Sequence, residues 1–335
     1  MLQKGANVTI AGNGGSLYLL KEQYPSLKHY ELPGYNISYP IGKNAAVQSL
    51  LQAPKILSTI KKEKLQTESI INEENIDFII SDNRYGVRND RVKSVFMCHQ
   101  VALQAPKRVS FLNPLLLKLH LQQINKFDML WIPDESSKEN LSGILSHNIT
   151  FDIPHRYIGL QSRFVNFRKK ESFIDSLDFS IAVVLSGPEP QRTVLEDTLR
   201  EQLQNVSEKI LLIQGKTEQQ NILEENNITA ISYLNTNDLY AALTKASTII
   251  CRSGYSSIMD LAVLGKKALL IPTAGQTEQE YLASSLSEKG YALTCRQEDL
   301  DIQKALQQLE RIEGFPIFEG SQESISAELE ELLFE

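Results

Sequence analysis

Short apolar runs alternate with helical stretches along almost the whole chain, and this alternation limits the fold more than any other feature. Residues 76–81 (IDFIIS), 93–98 (KSVFMC) and 127–132 (FDMLWI) are close to continuously apolar. They read as strands buried on both faces rather than as half-exposed ones. In the second half, strands are predicted over 179–185, 209–213, 228–233, 248–251, 267–271 and 292–295. Helices are predicted over 191–204, 236–244, 254–264, 276–289 and 298–312. Strands interleaved with helices imply a parallel sheet covered on both faces. A chain of 335 residues exceeds what one core usually supports. The charged, weakly periodic stretch 164–178 marks a boundary. The expected architecture is α/β, with two Rossmann-like domains facing a cleft. They are expected over 1–160 and 175–320, followed by an acidic helix within 321–335.

Composition narrows the function classes. Apolar residues make up 42% and charged residues 22%, which is ordinary for a globular protein. Lys plus Arg number 34 against 41 Asp plus Glu, a formal charge of −7. That balance argues against a broad nucleic-acid-binding face, which needs clustered cations. Cys98, Cys251 and Cys295 are odd in number and widely spaced. They give neither a disulfide framework nor a zinc pattern, and fit a reducing cytoplasm. No apolar run is long enough to span a bilayer, and no signal-peptide pattern is present. The most hydrophobic helix candidate, 113–125 (NPLLLKLHLQQIN), reads either as a core helix or as a face that meets a membrane surface.

Ligands of doubly wound sheets bind outside the carboxyl ends of the strands, so the residues at those ends carry the argument. After the strand 248–251 the chain turns through Arg252, Ser253 and Gly254 into a helix. A helix start offers free N–H groups and a positive dipole end, suited to a phosphate. Asp260 follows about 9 Å along that helix at 1.5 Å per residue, within reach of a ribose attached to a diphosphate there. An ordinary strand–turn–helix with a solvated Asp260 is the alternative. In the first half, Asp82 and His99 stand at two strand ends. Each has the chemistry of a general base; each also reads as structural, Asp82 as a turn cap and His99 as a satisfied, partly buried imidazole. His29, His120, His147 and His155 look incidental.

Ser253-Gly254, Asp260, Gly265, Pro272 and the run Gln276-Thr277-Glu278-Gln279-Glu280-Tyr281 together resemble the C-terminal domain of glycosyltransferase family 28. The resemblance covers most of residues 155–295 and is weaker before them, where Ile80–Arg84 (ISDNR) is similar to a stretch in uncharacterised bacterial members. It implies the GT-B fold and a UDP-sugar donor. It places Asp260 on the ribose hydroxyls, with Asp where the family has Glu. Ser253 and Gly254 fall at the phosphate turn, and Arg163 near the donor diphosphate. Leu234 falls where backbone groups read the uracil edge. Gly187 and Arg192 fall in the phosphate loop, stiffened here by Pro188 and Pro190. Gln279 matches a sugar-contacting glutamine, and Glu280 replaces a second one.

The resemblance therefore implies an inverting transfer of a hexosyl or N-acetylhexosaminyl group from a UDP-sugar, with an unknown acceptor for which a lipid-linked molecule is a candidate. Asp82 and His99 are the candidate catalytic residues. No metal, no other cofactor and no nucleic acid is implied. The expected location is the cytoplasm, with peripheral contact at the inner face of the membrane. A UDP-sugar epimerase and a catalytically impaired nucleotide-sugar-binding subunit are the alternatives. The family's first strand and Gly-rich loop are expected to precede residue 1, a segment of roughly 20–30 residues, about one strand–loop–helix unit.

Overall fold

The computed structural model describes residues 1–35, 52–217, 221–318, 325–326 and 329–330. The chain divides into two compact units, Met1–Gly159 with Ser321–Glu335, and Leu160–Gly320.

The first unit opens with β1 (Thr9–Gly12), a Gly-rich turn, α1 (Gly14–Gln23) and β2 (Lys28–Glu31). These residues form a strand–turn–helix–strand unit, with β1 and β2 parallel. Then come α2 (Ala53–Glu74), β3 (Phe78–Asp82), β4 (Lys93–Met97), α3 (Asn113–Ile124), β5 (Met129–Ile132) and β6 (His155–Tyr157). The periodicity of 45–75 predicts a long helix, broken near Pro54; the structure begins α2 at Ala53, with Pro54 in its first turn, where a missing N–H costs nothing, and residues 45–51 lie outside the described residues. Strands β3 to β6 pair in chain order, all parallel. Phe96, Leu130 and Ile132 pack on one face of this sheet, and Val95, Met129 and Trp131 on the other. Leu329, from the far end of the chain, joins the second cluster.

One buried ion pair links the two sheets of this unit. Glu63 on α2 is fully buried and takes the Arg84 Nε at 2.6 Å. The other Arg84 nitrogens reach Asn13 Oδ1 at 2.8 Å and the Pro33 carbonyl at 2.6 Å. The arginine of the ISDNR stretch therefore fixes the Gly-rich turn after β1 against the turn after β3.

In the second unit, β7 (Ile181–Val184), α4 (Gln191–Leu203) and β8 (Ile210–Ile213) are followed by β9 (Ile222–Glu225) and β10 (Ile228–Ile231). Next are α5 (Thr236–Lys245), β11 (Thr248–Cys251), α6 (Tyr255–Val263), β12 (Ala268–Leu270), α7 (Thr277–Glu288), β13 (Leu293–Thr294) and α8 (Ile302–Leu309). The sheet order is β13-β12-β11-β7-β8-β10-β9. All pairs are parallel except β9 with β10, a hairpin whose turn places Asn226 at φ 54°, a conformation that Asn tolerates. The sequence did not predict β9, because all four of its residues are exposed and carry no burial pattern. The strand order reverses between β7 and β11. That is the topological switch point, where the loops leaving neighbouring strands part and open a crevice.

Candidate nucleotide-sugar site at the switch point

Two turns flank this crevice: Gly187 follows β7, and Arg252-Ser253-Gly254 follow β11. Gly187 has φ +104°, which excludes most L side chains, and a Cβ there would lie 3.9 Å from Thr273 Oγ1. Gly254 is the N-cap of α6; no side chain caps this helix, and a Cβ at Gly254 would meet nothing within 4 Å. The start of α6 is therefore bare backbone beside open space, the environment an anion uses.

Asp260 lies on α6 and is 4% exposed. Its Oδ1 accepts from Ser162 Oγ at 2.7 Å and its Oδ2 from Arg163 Nε at 3.2 Å. Burial pushes the Asp260 pKa up, and the Arg163 charge and the Ser162 hydrogen bond oppose the rise. The sequence reading treats Arg163 and Asp260 as separate contacts; the structure pairs them. Arg163 remains partly exposed and lies over the Phe164 ring at 5.6 Å.

Other expected site residues are held within the protein. Ser253 is fully buried and donates to the Gln279 carbonyl at 2.8 Å. Gln279 Oε1 accepts from the Thr273 amide at 2.9 Å, and its Nε2 contacts Gln276. These bonds tie α7 to the ends of β11 and β12. Glu280 is exposed and accepts from the Gly275 amide at 3.3 Å. Leu234 lies at the surface of the core, just before Asn235, which caps α5 through the Asp238 amide at 2.9 Å. Arg192 is buried on α4, with its guanidinium bound to Glu189, Glu196, Thr193 and the Gln214 carbonyl.

Arg252 is the site residue that sequence reasoning missed. It is 1% exposed, and its Nη atoms donate to the carbonyls of Ile271, Pro272 and Gln191 and to Gln297 Oε1. Its Nε has no partner among the described residues. Among the described residues no carboxylate pairs with it, and burial pushes its pKa down to about 10, so it stays cationic at neutral pH. This buried cation immediately precedes the uncapped start of α6, whose free N–H groups also carry partial positive charge. In sequence it is a lone arginine in a turn; only its burial marks it.

In the first unit, Asp82 ends β3 opposite Met97, and His99 lies two residues past β4. Asp82 is exposed as a residue, yet nearby protein desolvates its carboxyl enough to push its pKa up, while the charge of His99 pulls it down. The two strand ends are thus electrostatically coupled. His120 is a core residue: it lies edge-on to Tyr85 and Phe96, bonds the Val101 carbonyl through Nδ1 at 2.8 Å, and is pushed by burial to about 4. Among the described residues no cluster of His, Cys, Asp and Glu could hold a metal ion, and no helix is long and apolar enough to cross a membrane.

Residues 184–331 match the glycosyltransferase family 28 C-terminal domain. The chain carries that domain. All of the switch-point crevice after β7 falls within the match, apart from Ser162 and Arg163. One relative is the UDP-N-acetylglucosamine--N-acetylmuramyl-(pentapeptide) pyrophosphoryl-undecaprenol N-acetylglucosamine transferase of Alkaliphilus oremlandii. It is 29% identical over 134 residues, 37% of this chain and 36% of the relative. The transferase of the same name from Nostoc punctiforme is 41% identical over 69 residues, 20% of this chain and 19% of that one. These alignments span about a third or less of the curated relatives' length, so the relation is distant. Likeness of fold extends further. The calicheamicin glycosyltransferase CalG4 superposes with a TM-score of 0.61 at 10% identity, over 99% of this chain and 92% of that one. MurG of Acinetobacter baumannii gives 0.50 at 15% identity, over 92% and 83%. The family 28 domain and its partner unit together have the GT-B fold.

Proposed function

We propose that the chain is an inverting glycosyltransferase that takes a UDP-sugar as donor and moves a hexosyl or N-acetylhexosaminyl group to an acceptor hydroxyl. The observation that carries this reading is the crevice at the switch point. There the buried Asp260 lies along a helix whose bare N-terminus adjoins the buried Arg252, which has no carboxylate partner among the described residues. The diphosphate sits at the start of α6 and against the Gly187 turn. The ribose hydroxyls replace Ser162 and Arg163 on Asp260, which frees the Arg163 guanidinium for the diphosphate. The backbone at Leu234 reads the uracil edge, and Gln279 and Glu280 stand nearest the sugar. Ser253 and Arg192 act by holding the turn and the loop in place. As the acceptor oxygen attacks the anomeric carbon, the C–O bond to the diphosphate breaks, and the helix start and Arg252 stabilise the departing charge. Asp82 and His99 handle protons on the acceptor side.

An epimerase is disfavoured, because such chemistry draws on histidines in the nucleotide-binding half and the sequence has none after His155. A lipid-linked acceptor and peripheral contact with a membrane surface are supported by α3 and the turn before it. Leu115 and Leu119 on α3, with Phe111 in the turn before it, are exposed apolar residues flanked by exposed Lys107, Arg108 and Lys118.

Titration calorimetry with UDP, GDP and ADP tests the donor. UDP is expected to bind at least tenfold more tightly than the others. Equal or tighter binding of ADP would remove the uridine assignment.

A further inference from the structure

At the switch-point crevice of the second unit, one buried hydroxyl is left over by the packing. Thr273 follows β12 and is fully buried, and its Oγ1 has no partner among the described residues. A buried polar group without a hydrogen bond is destabilising, and such groups are rare in folded proteins. The rest of the residue is engaged. Its amide donates to Gln279 Oε1 at 2.9 Å, and its carbonyl accepts the Gln276 amide at 3.0 Å. The chain on either side is pinned as well. Arg252 Nη1 donates to the Ile271 and Pro272 carbonyls at 3.2 and 3.1 Å, and Gln191 Nε2 to the Ala274 carbonyl at 3.3 Å. Thr273 is also β-branched, so few χ1 settings are open to it. The hydroxyl is a positioned donor that lacks an acceptor.

What the hydroxyl faces narrows the kind of acceptor. A Cβ built at Gly187 would lie 3.9 Å from Thr273 Oγ1, and apart from the glycine's chain neighbours no other described heavy atom comes within 4 Å of that point. Thr273 and Gly187 belong to loops leaving β12 and β7, strands that β11 separates in the sheet. Their approach therefore spans the end of β11, beside the turn through Ser253 and Gly254 into α6. Gly187, at φ +104°, has no side chain to fill the space next to the hydroxyl. Glycine's backbone freedom lets the turn yield as a phosphate oxygen comes within reach of Oγ1. A hydrogen bond to such a charged oxygen is stronger than one between neutral groups.

We propose that the Thr273 hydroxyl donates a hydrogen bond to the terminal phosphate of the donor's diphosphate, the phosphate that carries the sugar; this rests on the donor reading above. The neighbours decide which phosphate it meets. Thr273 is bonded to Gln279, on the sugar side of the donor in that reading, whereas Asp260 takes the ribose at the other end. The bond forms only in the complex. In the empty protein the same hydroxyl is buried and unsatisfied, so it destabilises the free state and strengthens the bound one. A threonine that serves only to hold the loop together would not give effects of opposite sign.

The test uses the full chain with UDP and UMP as probes. Nucleotide affinity, by titration calorimetry, and the thermal midpoint of the ligand-free protein are measured for the wild type and for Thr273→Val, Thr273→Ser and Thr273→Ala. Thr273→Val keeps the shape and removes the hydroxyl. It is expected to weaken UDP by about tenfold or more and to leave UMP within about twofold. Its thermal midpoint should equal or exceed that of the wild type, because an unsatisfied buried group has been removed. Thr273→Ser keeps the hydroxyl and should bind UDP within about threefold of wild type. Unchanged UDP affinity in Thr273→Val overturns the proposal, and a lowered midpoint beside it would make the hydroxyl a structural group. An equal loss for UDP and UMP also overturns it, because the terminal phosphate is then not the partner. So does a loss in Thr273→Ser as large as in Thr273→Val, which would put packing in place of the hydroxyl. Wild type that binds neither nucleotide instead overturns the donor reading on which the proposal stands. Should Thr273→Val not fold, Thr273→Ala against Thr273→Ser makes the same comparison.

Discussion

At Asp260 a carboxylate is kept in a buried place where its charge is costly. A buried carboxylate persists when partners compensate it, and Ser162 and Arg163 do so here, at 2.7 and 3.2 Å. In the proposed donor complex those partners give way to ribose hydroxyls. Asp260→Ala should therefore weaken UDP binding by about 1.5–3 kcal/mol, the usual cost of losing a hydrogen bond to a charged group. Asp260→Asn should lose less. Calorimetry on folded variants checks this, and an unchanged affinity would make the residue structural. The strand–turn–helix spacing singles out Gly254 and Asp260 in the sequence, and the family resemblance adds Gly187. Arg252 is not singled out: its burial and its acceptors at Gln191, Ile271, Pro272 and Gln297 lie far along the chain, and a lone Arg in a turn reads as a solvated side chain.

At the scale of elements, α4 shows how one helix is locked to the sheet. Glu196 accepts from Arg192 at 2.7 Å, Arg200 at 3.1 Å and Gln214, with Lys216 at 3.5 Å. Burial would raise its pKa, but Gln214, Arg192, Arg200 and Lys216 together bring it down from 4.5 to about 2. The folded-state value is depressed, so the associated stability is fully present above about 4.5 and is lost as the pH falls toward about 2. Glu196→Gln should cost roughly 3 kcal/mol at pH 7. The gap in thermal midpoint between variant and wild type should narrow steadily between pH 4.5 and the lowest pH at which the protein stays folded; a constant gap would show that Glu196 adds no pH-linked stability. The alternation of strands and helices in this half was readable because strands such as Ile210–Ile213 are buried at every residue. Strand β2 (Lys28–Glu31) was missed. It is polar and held by pairing with β1 and by Lys28 and Tyr30 on Glu74, and none of these leaves an apolar signature.

On the scale of the whole molecule, the chain returns to its first unit at its far end. Leu329 packs with Val95, Met129, Trp131 and Ile158. Of the acidic helix expected within 321–335, the described residues Ile325, Ser326, Leu329 and Glu330 are helical, and the rest lie outside the described residues. Its attachment was not legible, because acidic residues dominate that stretch and the two apolar residues that anchor it, Ile325 and Leu329, are only one turn apart. The first unit also bears the exposed strip on α3 and the turn before it. Phe111, Leu115 and Leu119, exposed by 77%, 53% and 49%, recur every four residues, while His120 and Ile124 face the core. The sequence left open whether this helix is a core element or an outward apolar face, and the structure gives it both sides. Exposed apolar side chains flanked by Lys107, Arg108 and Lys118 suit an anionic bilayer surface, where each cation adds about 1 kcal/mol and the apolar strip enters the headgroup boundary. Leu115→Glu with Leu119→Glu should therefore reduce sedimentation with vesicles of phosphatidylglycerol and phosphatidylethanolamine by tenfold or more. Raised salt should weaken the wild type in the same assay, because surface attraction is screened. UDP affinity should stay within twofold, since both residues lie in the first unit and the nucleotide crevice is built from the second. Equal sedimentation of variant and wild type would assign the strip to another partner and leave the donor reading intact.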